Sequence, residues 1–142
     1  MTQETKQTIV NLRNASDTAY LACVDEDGYP QTRAMLVLEH ESLRTQYFST
    51  NTSSGKVGWL RTNPKASVYY CTPGNYRGAL FIGDVEVCTD QATKDFLWRE
   101  GFERYYPRGV TDPDYCVLKL NAARGAYYGP GRCKFTMDEL ES

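Results

Sequence analysis

Histidine is almost absent from this chain: His40 is the only one in 142 residues. A His-rich metal centre is excluded on that count. Any Ser–His–Asp or Cys–His arrangement would rest wholly on His40. That residue sits in Glu39-His40-Glu41-Ser42, which reads as a solvated turn. Cysteine is present, but its pattern is wrong for a framework. Cys23, Cys71, Cys88, Cys116 and Cys133 are odd in number and none has a C-x-x-C spacing. Neither a disulfide scaffold nor a zinc site is indicated, and four of them lie in apolar runs, where cysteine acts as a small core residue. No metal site is expected.

Other features are missing too. No apolar run approaches the roughly 20 residues of a membrane span. The start, Met1-Thr-Gln-Glu-Thr-Lys6, is polar and has no signal core. No basic block exists, and the formal net charge is −2 with a pI near 5.4. Nucleic acid is therefore disfavoured as a partner, because backbone binding needs a concentrated positive face. The expectation is a cytoplasmic protein with no membrane partner, folded as one domain with a core of its own.

What the chain does have is a concentrated run, Gln46-Tyr-Phe-Ser-Thr-Asn-Thr-Ser-Ser-Gly-Lys56, leading into Val57-Gly-Trp-Leu60. An apolar stretch ends in hydroxyl and amide side chains, and a helical pattern then opens with a lysine in its first turn. Ser53 or Ser54 can cap that helix. The free N–H groups of its first turn, the hydroxyls and Lys56 would converge on one point, which suits a phosphate. Such runs also serve as plain caps and turns. A nucleotide P-loop is excluded, since Thr50 stands where its first glycine belongs and Val57 where its metal-binding hydroxyl belongs.

Periodicity places a helix near 6–13 and strands at Thr18–Val24 and Gln31–Leu38, joined by a turn with Gly28 at its tight point. A third strand, Thr45–Thr50, leads into the helix near 54–62. Lys65–Cys71 and Ala79–Cys88 follow as strands around the loop Thr72–Gly78. Asp90 caps a helix over about 91–104, and Tyr115–Leu120 and Gly125–Tyr128 complete the sheet. Short strands with tight turns argue for a closed or nearly closed barrel, since closure removes exposed edges.

Arg33 stands in an otherwise apolar strand, sharing one face with Met35 and Val37, while Ala34, Leu36 and Leu38 share the other. It needs an anionic partner or an exit to water. Asp84 and Glu86 read as a solvent-facing pair and Asp112 and Asp114 as a turn around Pro113, so no acid/base pair and no catalytic residue is assigned. Eleven tyrosines and two tryptophans serve equally as barrel walls, dimer interface or a stacking surface. Few acids and bases beside many anion-binding and aromatic groups is the pattern of a protein that holds a cofactor.

Taken in order, Gly28-Tyr-Pro-Gln-Thr-Arg33, Phe48-Ser-Thr-Asn51 with Ser54 and Lys56, Asn63-Pro-Lys-Ala-Ser-Val68 and Ile82-Gly-Asp-Val-Glu86 form a pattern. Asp112-Pro-Asp-Tyr115 and Tyr127-Tyr128 extend it. The chain in this respect resembles the pyridoxamine 5′-phosphate oxidase-like FMN-binding split barrels, most closely their general-stress-protein branch. The resemblance covers about residues 17–130 and leaves 131–142 as a loose tail. It implies a mainly β fold with peripheral α, a six-stranded antiparallel split barrel, and a homodimer with FMN between the subunits. Carried over by position, Arg33, Ala34, Met35 and Leu36 line the flavin. Arg33, Thr50, Ser54 and Lys56 bind its phosphate with Ser49 close by, and Arg77 and Gly78 come from the opposite subunit.

The departures also inform. Gly55 replaces an arginine that usually precedes the family's phosphate lysine. Leu38, Phe96 and Glu100 replace the lysine, tyrosine and arginine of authentic oxidases, and the C-terminal Arg-x-His pair is absent. The resemblance therefore implies a flavoprotein that exchanges electrons with an unidentified small molecule, not a true pyridoxamine 5′-phosphate oxidase. A non-catalytic flavin-binding stress module, or a haem-binding relative using His40, stays open at this point.

Overall fold

A computed structural model describes residues 1–38 and 42–142; His40 and its two neighbours lie outside the described residues. The chain opens with α1 (Gln3–Asn14), whose N-cap Thr2 accepts the Thr5 N–H. Of the apolar residues of α1, Ile9 and Leu12 are buried in the barrel core. The strands β1 (Thr18–Val24), β2 (Pro30–Leu36) and β3 (Thr45–Asn51) follow, then α2 (Gly55–Thr62), β4 (Lys65–Thr72) and β5 (Arg77–Cys88). After α3 (Gln91–Leu97) and two single 3-10 turns, Phe102–Arg104 and Gly109–Thr111, come β6 (Tyr115–Tyr128), β7 (Cys133–Thr136) and α4 (Met137–Glu141).

All ladders are antiparallel, in the order β2-β1-β4-β5-β6-β3, with β7 added to β6. The two ends of the path, β2 and β3, come together without a ladder between them. The barrel is therefore split, as the resemblance implied. Its interior is filled by alternate residues of every strand, among them Leu21, Met35, Phe48, Val68, Phe81 and Leu118. Inside it runs a polar chain: the Tyr70 hydroxyl donates to Gln46 Oε1 at 2.6 Å, and Gln46 Nε2 donates to the Leu43 carbonyl at 2.7 Å. A second core covers the other face of β3 and β6, built from Leu38, Leu97, Phe102, Tyr106, Tyr115 and Trp98.

Three expectations need correction. The helix drawn over 91–104 stops at Leu97, because Trp98 turns extended (ψ 136°) and packs its ring 5.3 Å from Tyr115. Gly101 then takes a left-handed φ of 92°, which breaks any continuation. The two strands drawn at 115–120 and 125–128 are one strand of 14 residues, kept continuous by an irregularity in its pairing at Ile82/Gly83. Gly83 lies against the Asn121 carbonyl with no room for a side chain. The tail after Gly131 is not loose. It adds β7 to the sheet and closes with a Thr136/Glu139 capping box, and Phe135, Met137 and Leu140 are buried in the core. Its apolar residues are too few for periodicity to register, yet each fills a place at the barrel wall.

A candidate phosphate site at the split of the barrel

The split positions the site, because it leaves β2 as a terminal strand and brings α2 across the barrel beside β1 and β5. One edge of β2 thus carries backbone N–H and C=O groups with no strand partner. Arg33 shares the Met35 face of β2 and stands opposite Leu21. Its guanidinium lies over the Trp59 ring, 5.8 Å from the centroid. Its Nη1 also donates to the Thr32 carbonyl at 3.0 Å and to Gln31 Oε1 at 3.3 Å.

Lys56 enters from the other side as the second residue of α2. It is half-buried, and its Nζ donates to Ser54 Oγ at 2.9 Å. Burial pushes the Lys56 ammonium down from its ordinary pKa, and the nearby Arg33 cation pushes it further. The buried Cys23 thiol is pushed up by burial, with Arg33 and Lys56 both opposing. These shifts place the two cations within each other's field. Neither Arg33 nor Lys56 forms an ion pair with a carboxylate among the described residues. Two like charges held together at a helix N-terminus form a place that an anion would stabilise.

The loop that carries Ser54 is held from below by an aspartate ladder. Asp114 accepts the Ser53 N–H at 2.7 Å and Asn51 Nδ2 at 2.8 Å. Those bonds, the Asn51 amide first, hold its carboxyl below the usual carboxylate range. Asp112 in turn accepts the Asp114 and Arg108 N–H groups at 2.9 and 3.0 Å. Both carboxylates are thus spent on backbone and amide donors. Ser54 is the N-cap by position, but its side chain makes no capping bond. The helix geometry leaves the N–H groups of Gly55 and Lys56 without intrahelical acceptors.

The sequence-derived residues fall into three groups. Arg33, Ser54 and Lys56 come together, and buried Thr50 points to the same barrel interior from β3. Ser49 lies on the opposite face of β3, where its hydroxyl meets the Tyr106 phenol. Along β2, Met35 is buried while Ala34 and Leu36 face out from the sheet. Arg77 and Gly78 stand at the β4–β5 hairpin, opposite Thr72 and Cys71, and are not near Arg33 or Lys56 within one chain. The Tyr69 ring lies across Gly78 where a side chain would be, and both line a cavity of about 500 Å³ with Leu80, Tyr128, Arg132 and Lys134. The roles of Trp59 and of the Asp112/Asp114 ladder were not foreseen; the Asp-Pro-Asp spacing is their one visible signal.

The sequence profile described as pyridoxamine 5′-phosphate oxidase like matches residues 4–139. The chain belongs to this family. The general stress protein 26-related protein of Clostridium acetobutylicum, assigned to the pyridoxinephosphate oxidase family, is 33% identical. It aligns over 99% of both chains with a TM-score of 0.90. General stress protein 26 of Bacillus anthracis is 21% identical over 94% of this chain and 99% of its own, with a TM-score of 0.79. A pyridoxamine 5′-phosphate oxidase-related, FMN-binding protein of Nostoc punctiforme shares the fold at 16% identity, covering 88% and 82% of the two chains with a TM-score of 0.61. No curated protein matches the chain. Family membership and the likeness to these structures agree with the split-barrel architecture described above.

Proposed function

We propose that this protein binds FMN as a homodimer and exchanges electrons between the flavin and a small molecule that is not a pyridoxine phosphate. The observation that carries the reading is the convergence of Arg33 and Lys56, without a carboxylate partner among the described residues, at the N-terminus of α2. In this reading Arg33, Ser54, Lys56 and Thr50 hold the phosphate, and the free edge of β2 over Arg33–Leu36 presents backbone groups to the ring system. Ser49 supports the site through Tyr106, and Arg77 and Gly78 approach from the partner subunit. When bound, FMN supplies reversible one- and two-electron transfer, and the protein supplies position and field.

A shared site is supported by the outer face of the sheet. Pairing sets Ala34, Tyr20, Tyr69, Leu80 and Ala126 in one row across five strands. Leu36, Tyr20 and Tyr128 beside or within that row are 52%, 40% and 58% exposed. An apolar sheet face of this extent fits a second copy, burying above about 2,000 Å² as obligate pairs do. Against pyridoxine phosphate stand Leu38, Phe96 and Glu100. Leu38 is buried in the second core, Phe96 is 66% exposed, and Glu100 is a carboxylate, so none offers a cation.

The test is a parallel titration with FMN and riboflavin, followed by anaerobic mixing of the loaded protein with pyridoxine phosphate. FMN is expected to bind more tightly, and its visible bands to bleach with NAD(P)H or dithionite but not with pyridoxine phosphate. Equal affinity for the two flavins would remove the phosphate assignment. Bleaching by pyridoxine phosphate within minutes would overturn the reading of the substrate side.

A further inference from the structure

Lys94 is a buried cation outside the site described above. It sits in the middle of α3, 5% exposed, with its ammonium 5.2 Å from the centroid of the Tyr115 ring. Among the described residues it forms no ion pair with a carboxylate. Its Nζ instead donates to the Asp112 carbonyl at 3.0 Å. The contact is returned, since the Tyr115 hydroxyl donates to the Lys94 carbonyl at 2.8 Å. Taking an ammonium out of water is costly, and an apolar side chain of similar length would fill the same space. Packing by itself therefore gives no reason for a lysine here.

What the ammonium fixes is the turn from Asp112 to Tyr115. The Asp112 carbonyl accepts the Tyr115 N–H at 3.0 Å as well as Lys94, so Lys94 grips the turn at both ends. A charge-assisted bond of this kind is stronger than a neutral one. From the same turn, the Asp114 carbonyl accepts the Thr52 N–H at 2.7 Å and the Pro113 carbonyl accepts the Thr52 hydroxyl at 3.1 Å. The Asp114 carboxylate takes the Ser53 N–H and the Asn51 amide. Four bonds thus hold residues 51–53, which lead directly into Ser54 and Lys56. We propose that Lys94 is a positioning residue for the phosphate site: its buried ammonium sets the 112–115 turn, and that turn sets the α2 N-terminus. The inference rests on the phosphate reading above. Lys94 acts through Asp112 and Asp114, not on the ligand.

The full chain is compared with Lys94→Met, Asp114→Asn and the double variant by FMN and riboflavin titration, hydrogen exchange at the Ser53 amide, and thermal unfolding. Methionine keeps the length of the side chain and removes the charge and the donor. Lys94→Met is expected to weaken FMN about tenfold and riboflavin less than about twofold, and to lower protection of the Ser53 amide. The unfolding midpoint should not fall, because the buried charge is gone and the Asp112 carbonyl keeps the Tyr115 N–H. In the Asp114→Asn background the same substitution should change FMN by less than about twofold, since the ladder it acts through is already broken. If the methionine variant fails to fold, Lys94→Gln, which removes the charge on a shorter side chain, takes its place in the same cycle. FMN affinity unchanged by the single variant, equal weakening of both flavins, or additive losses in the double variant would each overturn this inference and leave the phosphate site standing. A parent that binds FMN and riboflavin equally overturns both.

Discussion

The Arg33 guanidinium rests over the Trp59 ring at 5.8 Å, and Trp59 lies three residues after Lys56 on the same helix. A strand residue and a helix residue are thereby held in mutual register by a cation–π contact. Arg33 is exposed, so the same contact holds a solvent-accessible cation beside α2. A Cβ on Gly55 would meet the Trp59 ring at 3.5 Å, an ordinary packing distance. The position before Lys56 can therefore take a side chain.

Two substitutions follow from that geometry. Lys56→Ala should weaken FMN by about 1.5–3 kcal/mol, the scale of a charge-assisted hydrogen bond, and leave riboflavin nearly unchanged. Gly55→Arg should strengthen FMN by about 1 kcal/mol by adding a cation beside the helix terminus. Isothermal titration with both flavins reads each effect, and a loss common to both ligands would point away from a phosphate contact.

Asp114 offers a pH test. Its folded-state pKa is depressed, by the Asn51 amide first and the Ser53 N–H next. Its contribution to loop order is therefore present above the ordinary carboxylate pKa and lost as pH falls through the depressed value. Asp114→Asn should mimic acid at neutral pH, loosening residues 51–54 while the barrel stays folded. Hydrogen exchange at the Ser53 amide measures this directly, and unchanged protection would refute the ladder.

Alkaline pH tests both cores. Burial is the main cause that pushes the Tyr70 phenol up to about 12, with Arg13 opposing; Tyr115 is likewise pushed up by burial to about 12. The unfolded chain gives up these protons first, near the usual value of about 10, so stability is full below that pH and falls between about 10 and 12. Tyr70→Phe should shed part of that alkaline loss. At neutral pH it should cost about 1–3 kcal/mol, because Gln46 Oε1 loses its buried donor. Urea unfolding at pH 8 and pH 11 separates the two effects.

The C-terminal segment gives the clearest stability contrast. Deleting residues 133–142 removes Phe135, Met137 and Leu140, which are 3%, 0% and 7% exposed. Each buried apolar side chain is worth about 1.5–3 kcal/mol, so the truncated chain should unfold at far lower urea or fail to fold. The Arg44 pairs with Asp138 and Glu141 at 2.7 and 3.1 Å are exposed and should matter little, so Arg44→Ala serves as the control. A truncated chain as stable as the parent would show the segment to be dispensable.

The sequence by itself determined the strand and turn pattern, because alternation and turn residues are local signals that survive without tertiary context. It also marked Arg33, Ser54 and Lys56 as an anion set, since an arginine in an apolar strand and a lysine in a first helical turn are conspicuous locally. Tertiary structure decided the rest. Whether those residues meet depends on the split between β2 and β3, which no local pattern encodes. Ser49 and Thr50 are neighbours in sequence, yet a pleated strand sends them to opposite cores. The single strand β6 and the C-terminal β7–α4 unit escaped notice because their evidence is pairing and burial. Asp112 and Asp114 looked like a turn until the fold brought the β3–α2 loop onto them. Contacts between residues far apart in sequence carry that information, and only packing reveals them.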